Sequence, residues 1–367
     1  MYIGDIMRFK LLFLTFFSVI AAKTTEATQK TSDASYDVVA YIIDNGIDSK
    51  ESAFVFGPYP NKISIIQDPL WTTNTNNYIP LNHGTIVADT LLNNYLDCTS
   101  TKGCENHRKN MIYHSELTPP SLRIVSAPIR PYNGSILSEM TRAFTHATRN
   151  CTGLRIQNPN LNCVINMSMI ADNEDEIKTL KQDGFDAAVS NLIQAMYQAS
   201  EANIAITISA GNQGTDACKH MPARIMQGIK TNKGDGPILV VGGYDVDSKN
   251  ILAFSNYGKC VNTYRAGNKI ESVAIRAGDG PLSGTSFAAP VAAGQIAAFL
   301  HQLGQIPHKH KMCLLNQAIE KTDPFQPILF SRPLTKKSVK YTQICNDADT
   351  QQIFRFGSVK TCPALAS

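Results

Sequence analysis

From Asp37 to Lys321 the chain alternates short runs rich in Val and Ile with longer segments whose apolar residues recur three and four apart. Strands that are apolar throughout must be covered on both faces, and the intervening helical segments supply the cover. The pattern therefore dictates an α/β fold with a doubly wound, mainly parallel sheet flanked by helices. The spacing predicts strands at Asp37–Ile43, Leu122–Ala127, Asn162–Met169, Asn203–Ser209 and Pro237–Gly243. It predicts helices at His83–Leu96, Ile136–Arg149, Asp183–Ala202, Ser286–Leu303 and His310–Lys321. An apolar share of 43% against 17% charged in 367 residues can bury one large core or two modest ones. The segment Cys98–Pro120, charged and without periodicity, reads as a surface insertion. After Thr322 the prolines at 324, 327 and 333 mark a change of character. The expected organisation is thus a main domain over 37–322 and a C-terminal extension over 323–367 packed on it.

At the other end, Arg8 and Lys10 precede a largely apolar run from Leu11 to Ala22, followed by small residues suited to cleavage after Ala22 or Ala27. That run of twelve falls short of the roughly 20 residues that span a bilayer as a helix. Residues 1–22 are expected to be a cleaved signal peptide, giving a secreted, periplasmic or extracellular location without stable membrane insertion. A short N-terminal segment, 23–36, would follow. Its fourteen residues are fewer than the roughly 40 an independently folding domain needs, so no separate folded domain is expected there. The net charge of +4 comes without a dense basic block, and nothing asks for nucleic acid.

Export fits the nine cysteines, most of which should then be paired. Proximity along the chain suggests Cys98 with Cys104, Cys151 with Cys163, and Cys345 with Cys362, although eight cysteines alone allow 105 connectivities. Cys313, in an apolar helical stretch, is the candidate free thiol. The absence of a Cys-x-x-Cys pair speaks against zinc.

Four short runs could carry chemistry. Gly284-Thr285-Ser286-Phe287-Ala288-Ala289-Pro290 places Ser286 at a helix start, where unpaired N–H groups and the helix dipole favour an oxyanion. Taken alone, the commoner role of such a serine is an N-cap. Asn82-His83-Gly84-Thr85 sets an imidazole at another helix start, able to act as a general base. The strand run Val38 to Ile43 ends in Asp44-Asn45-Gly46, and a carboxylate at a strand's C-terminal end sits where open α/β sheets build their sites. Ser209-Ala210-Gly211-Asn212 follows another strand and offers an amide that can donate to charge developing on a carbonyl oxygen. Each run has a bland reading in turn or cap chemistry. Together, in the order Asp, His, Ser with the amide before the serine, they follow the subtilisin order.

On these runs the chain resembles the subtilase superfamily from about Asp37 to Lys321. The resemblance implies a serine endopeptidase with Asp44, His83 and Ser286 as catalytic triad and Asn212 as oxyanion donor beside the Ser286 N–H. It implies substrate-binding walls at Ser168, Met169 and Ile170, within the run from Val164, and at Ser209, Ala210 and Gly211. Asp216-Ala217-Cys218 and Phe254-Ser255-Asn256-Tyr257-Gly258-Lys259-Cys260 look closer to the proteinase K-like branch, which implies pairing of Cys218 with Cys260. A protein or peptide substrate and a monomer are expected, with no cofactor required. Structural calcium is frequent in such proteins, but no carboxylate cluster can be matched to a site.

The chain also departs from the family pattern. Asn45 stands where Ser or Thr usually follows the aspartate, and Ile86 and Asp89 replace a histidine and a small residue. Met169-Ile170-Ala171 replaces Leu-Gly-Gly, and Arg265-Ala266-Gly267 replaces Ala-Pro-Gly. Ile170 bears on specificity. With Asn45 it also supports an alternative, a secreted binding protein that keeps the fold without turnover; a processing protease with one target is a further alternative. His301, His308 and His310 read as a solvated helix boundary before a metal tract. Asn133-Gly134-Ser135 and Asn150-Cys151-Thr152 are sequons expected on surface loops.

Overall fold

The computed structural model describes residues 37–47, 65–67, 83–99, 122–129, 135–171, 173–227, 235–270, 272, 281–304 and 306–321. The expected signal peptide, N-terminal segment and C-terminal extension, most of the expected Cys98–Pro120 insertion and the Asn133 residue of its sequon lie outside them.

The strands are β1 (Val38–Asp44), β2 (Ile65–Gln67), β3 (Leu122–Pro128), β4 (Asn162–Met167), β5 (Ala205–Ser209), β6 (Ile238–Tyr244) and β7 (Thr263–Ala266). The helices are α1 (His83–Thr99), α2 (Ile136–Gln157), α3 (Asn173–Glu201), α4 (Thr285–Gln302) and α5 (His308–Lys321). The strands form one seven-stranded sheet in the order β2-β3-β1-β4-β5-β6-β7. Every pairing between them is parallel. Each β1 residue is buried, because the strand is central and both faces are covered. Val39, Tyr41 and Ile43 join a core that includes residues of α2 and α3, whereas Val38, Ala40 and Ile42 join one that includes residues of α1, α4 and α5.

Chain order and spatial order part company at β1. The chain runs from β1 to β2 and β3 on one side, then crosses to β4 on the other. The carboxyl end of β1 therefore lies where the winding reverses, the place at which open α/β sheets leave a crevice. Asp44 is at that end, opposite Pro128 in the β3 register.

Helices α1 and α4 share one face, and their contact is unusually close. A Cβ on Gly294 would come within 2.3 Å of the Leu91 carbonyl oxygen, so only glycine lets the two backbones approach this far. Helix α4 is buried from Thr285 to Leu300 except at Ser286, and small residues around its circumference let it pack on several sides. The start of α2 is capped from two directions. Ser135 Oγ accepts from Ser138 N at 3.1 Å, and the buried Glu176 carboxylate of α3 accepts from Ile136 N at 2.7 Å and from the Ser135 hydroxyl.

Several expectations shift here. The β2 and β7 strands were not anticipated, and β4 ends at Met167, two residues early. Helix α3 begins at Asn173 and breaks at Lys181, where φ is 57°; the predicted start at Asp183 falls just after the break. The Asn150 sequon lies within α2, not on a loop, and Asn150 Oδ1 accepts from the Tyr41 hydroxyl at 2.8 Å. Disulfides Cys151–Cys163 and Cys218–Cys260 are formed. Cys313 is also disulfide-bonded, which overturns its reading as the free thiol. The suggested Cys98–Cys104 and Cys345–Cys362 pairs lie outside the described residues.

Candidate active site

At the carboxyl end of β1 the chain turns through Asn45 and Gly46, and the Asp44 carboxylate, 1% exposed, is held by two donors. The Asn45 backbone N–H donates to Asp44 Oδ1 at 2.7 Å. His83 Nδ1–H donates to Oδ1 at 2.8 Å, with Oδ2 at 3.1 Å. An ionised carboxylate can only accept, so this contact fixes the proton on Nδ1 and leaves Nε2 as the lone-pair nitrogen. Burial pulls the His83 pKa down, but the Asp44 charge and hydrogen bond outweigh it and hold the imidazole above its ordinary value. The Phe287 ring, tilted 44° at 5.3 Å between centroids, packs against the imidazole.

His83 opens α1, and the helix start is pinned to the β1 turn. Asn45 Oδ1 accepts from Gly84 N at 2.9 Å, and a Cβ on residue 84 would meet Gly46 O at 2.3 Å. This explains both the glycine after the histidine and the asparagine after the aspartate. The side chain of Asn45 serves α1 while its backbone serves Asp44.

Ser286 is the second residue of α4 and lines the same cleft as His83. The two side chains stand without a hydrogen bond between them, as is common before a substrate tightens such a site. The Ser286 backbone is held in an indirect way. Pro290 has no N–H to give the Ser286 carbonyl four residues earlier, and Ser168 Oγ donates to that oxygen instead at 2.7 Å. Asn166 Nδ2 donates to Ser168 Oγ at 2.9 Å, and Thr207 Oγ1 donates to Asn166 Oδ1 at 3.0 Å. A line of hydrogen bonds thus runs from the middle of the sheet to the start of α4.

Asn212 lies on the loop after β5. Its Oδ1 accepts from Thr285 N and from Thr285 Oγ1, each at 2.9 Å. A backbone N–H can only donate, so the amide's orientation is determined and Nδ2 remains free to donate elsewhere. The cleft has a volume of about 310 Å³. Asp44, His83, Ser286, Asn212, Ser168, Met169, Ile170, Ser209 and Gly211 all line it. Ala210 does not. It is fully buried, with its carbonyl accepting from Asn256 Nδ2 and its N–H donating to Val241 O, and so backs the wall. Asn45, Gln213 and Thr285 also line the cleft. Of these, Thr285 and Asn45 stood in the quoted runs without an assigned contact, whereas Gln213 carried no sequence signal.

Among the described residues, no three His, Cys, Asp or Glu side chains are grouped to hold a metal ion. His301 Nδ1 lies 3.3 Å from Asp37 Oδ2, and the His308 Nε2–H donates to Pro159 O at 2.7 Å.

A parallel, doubly wound α/β domain with a buried acid hydrogen-bonded to an imidazole in one cleft with a serine at a helix N-terminus is the class of protein that fold and cleft define. The Subtilase family profile matches residues 37–357, and the chain belongs to the subtilase family. It is similar to alkaline serine exoprotease A of Vibrio alginolyticus, 31% identical over 111 residues, which are 30% of this chain and 19% of that protein. Putative subtilisin-like proteinase 1 of Encephalitozoon cuniculi is 33% identical over 142 residues, 39% of this chain and 28% of that one. Cerevisin of Saccharomyces cerevisiae is 34% identical over 132 residues, 33% of this chain and 19% of that one. The chain thus matches under a third of the length of these relatives. Among solved structures, a cold adapted subtilisin-like serine proteinase is 22% identical, covering 78% of this chain and 84% of that chain at a TM-score of 0.47. Among the described residues no helix is long and apolar enough to cross a membrane.

Proposed function

We propose that the protein is a secreted serine endopeptidase that cleaves peptide bonds through an acyl-enzyme, with Asp44, His83 and Ser286 as triad and Asn212 as oxyanion donor. The observation that carries this reading is the hydrogen bond between buried Asp44 and half-buried His83 in the cleft that Ser286 also lines. His83 Nε2 takes the Ser286 hydroxyl proton as Oγ bonds to the scissile carbonyl carbon, and the oxygen becomes an anion. Asn212 Nδ2 and the Ser286 N–H donate to that anion. The imidazolium, stabilised by Asp44, returns its proton to the leaving amine as the C–N bond breaks. Water then repeats the cycle on the ester, with His83 again accepting a proton and returning it to Ser286.

The reaction uses the chain's own groups throughout, and a monomer suffices for it. Ser168 to Ile170 and Ser209 to Gly211 are the proposed walls around the side chain before the cut, with Ile170 narrowing the mouth. The alternative of an inactive binding protein loses one of its two supports, because the Asn45 side chain is engaged in fixing α1 to the Asp44 turn.

A serine-directed fluorophosphonate tests the proposal. Purified wild-type protein should label at Ser286 and cleave a peptide library, while Ser286→Ala should do neither. Equal labelling of both, or labelling of neither alongside tight peptide binding, sinks it.

A further inference from the structure

The run Phe254 to Cys260 gains no catalytic role in the mechanism, yet its Asn256 holds the loop that carries Asn212. Asn256 is fully buried, and both ends of its side chain are spent on that loop. Its Oδ1 accepts from Gln213 N and from Thr215 N, each at 3.1 Å. Its Nδ2 donates to Ala210 O at 2.9 Å and to Gln213 Oε1 at 2.7 Å. Two backbone donors on one side and a backbone acceptor on the other leave a single orientation for the amide. The Asn256 N–H adds a bond to Gly211 O at 2.9 Å. These contacts bracket Asn212 on both sides without touching it.

The loop is also tied by Gly211 N donating to Thr285 Oγ1 at 3.1 Å and by Gly214 N donating to Phe254 O at 2.7 Å, but the Asn256 side chain is what spans it from Ala210 to Thr215. Gly211 has φ of 100°, and a Cβ there would sit 2.4 Å from Asn256 Nδ2, so the left-handed turn and the buried amide occupy one space. A glycine in that region is the most freely varying residue of the chain when unsupported. Disulfide Cys218–Cys260 then anchors the two segments to one another a few residues further on.

We propose that Asn256 is a positioning residue for the oxyanion donor, holding the 210–215 loop so that Asn212 Nδ2 is aimed into the cleft before substrate arrives. This inference rests on the peptidase reading, deepens it, and differs from the Thr285 contact, which sets the rotation of the Asn212 amide. Asn256 sets where the residue itself stands. A displaced donor weakens binding of the transition state more than binding of the peptide, so the loss should fall on kcat.

The experiment is a double-mutant cycle on the full chain, reading kcat and KM on a cleavable peptide. Asn256→Ala should lower kcat by about 10- to 100-fold, the cost of an ångström-scale misplacement, with KM within about threefold. In the Asn212→Ala background the same change should cost less than about twofold, because the donor it positions is gone. Asn256→Ser, which keeps a buried hydroxyl able to accept from a backbone donor, should lose less than Asn256→Ala. If Asn256→Ala fails to fold by near-ultraviolet circular dichroism, Asn256→Ser carries the same cycle. A full, multiplicative loss in the Asn212→Ala background, or a loss confined to KM, overturns the proposal while leaving the peptidase reading intact. A wild-type protein that neither cleaves nor labels overturns both.

Discussion

The Asp44 carboxylate is buried, hydrogen-bonded by a backbone N–H and by His83, and its charge is what keeps the imidazole basic against the pull of burial. A general base must be neutral to act, so kcat/KM should fall with acid around a midpoint above the ordinary histidine value of about 6.5. Asp44→Asn removes the charge, and the surviving activity should show its midpoint moved to lower pH; an unmoved midpoint would assign the acid limb to another group. The same raised pKa contributes to stability fully below about pH 6.5, and the contribution disappears as pH rises through the folded value. Ser286→Ala should cost on the order of 10⁶-fold in kcat, the size of the same lesion in subtilisin. Asn212→Ala should cost on the order of 10²–10³-fold, again the subtilisin magnitude. All four of these residues were legible in short runs, because a helix start or strand end restricts which side chains can stand there. What holds them was not. Ser168 meets the Ser286 carbonyl only because Pro290 vacates it, and Asn256 reaches the Asn212 loop across more than 40 residues of sequence. Such contacts are properties of tertiary proximity, which no local pattern encodes.

Two elements bring imidazole and hydroxyl to one place, and their contact is the weak point of the design. The close approach of α1 and α4 at Gly294 means that Gly294→Val must push the helices apart against the Leu91 carbonyl. Overpacking of this kind costs about 1–3 kcal/mol. Because His83 and Ser286 ride on these helices, kcat/KM should fall together with the urea midpoint. A variant with wild-type stability and activity would mean that the interface relaxes elsewhere. Long periodic helices and central strands were readable at this scale. The strands β2 and β7 were not, since three or four residues give too short a pattern, and Thr-Tyr-Arg-Ala lacks the β-branched aliphatic run of a buried strand. The break at Lys181 escaped as well, because a non-glycine residue at positive φ leaves no compositional mark.

At the scale of the whole domain, the end of the sheet opposite the cleft gathers several shifted titratable groups, Lys311, Arg155 and His308. Lys311 of α5 is fully buried, donating from Nζ to Asn162 Oδ1 at 3.0 Å and to Asn160 O at 3.3 Å. Burial pushes its pKa down to about 8, with the Arg155 charge acting in the same direction and Asp37 opposing both. Arg155 is itself held by the Leu161, Ala202 and Asn203 carbonyls. Beside them His308 is held near 4, chiefly by burial and then by the Arg155 charge. The sign of the Lys311 effect follows directly. In the unfolded chain a lysine keeps its proton up to about pH 10.4, whereas the folded protein gives this one up near pH 8. Between those values the unfolded state binds more protons, so stability attributable to Lys311 rises with pH. Lys311→Met removes that slope while keeping most of the side-chain volume. The urea midpoint of the wild type, measured from pH 7 to pH 10, should therefore gain on that of Lys311→Met as the solution becomes more alkaline. Two curves that stay parallel would place the lysine's proton in water, in contradiction to its burial between α5 and the turn before β4.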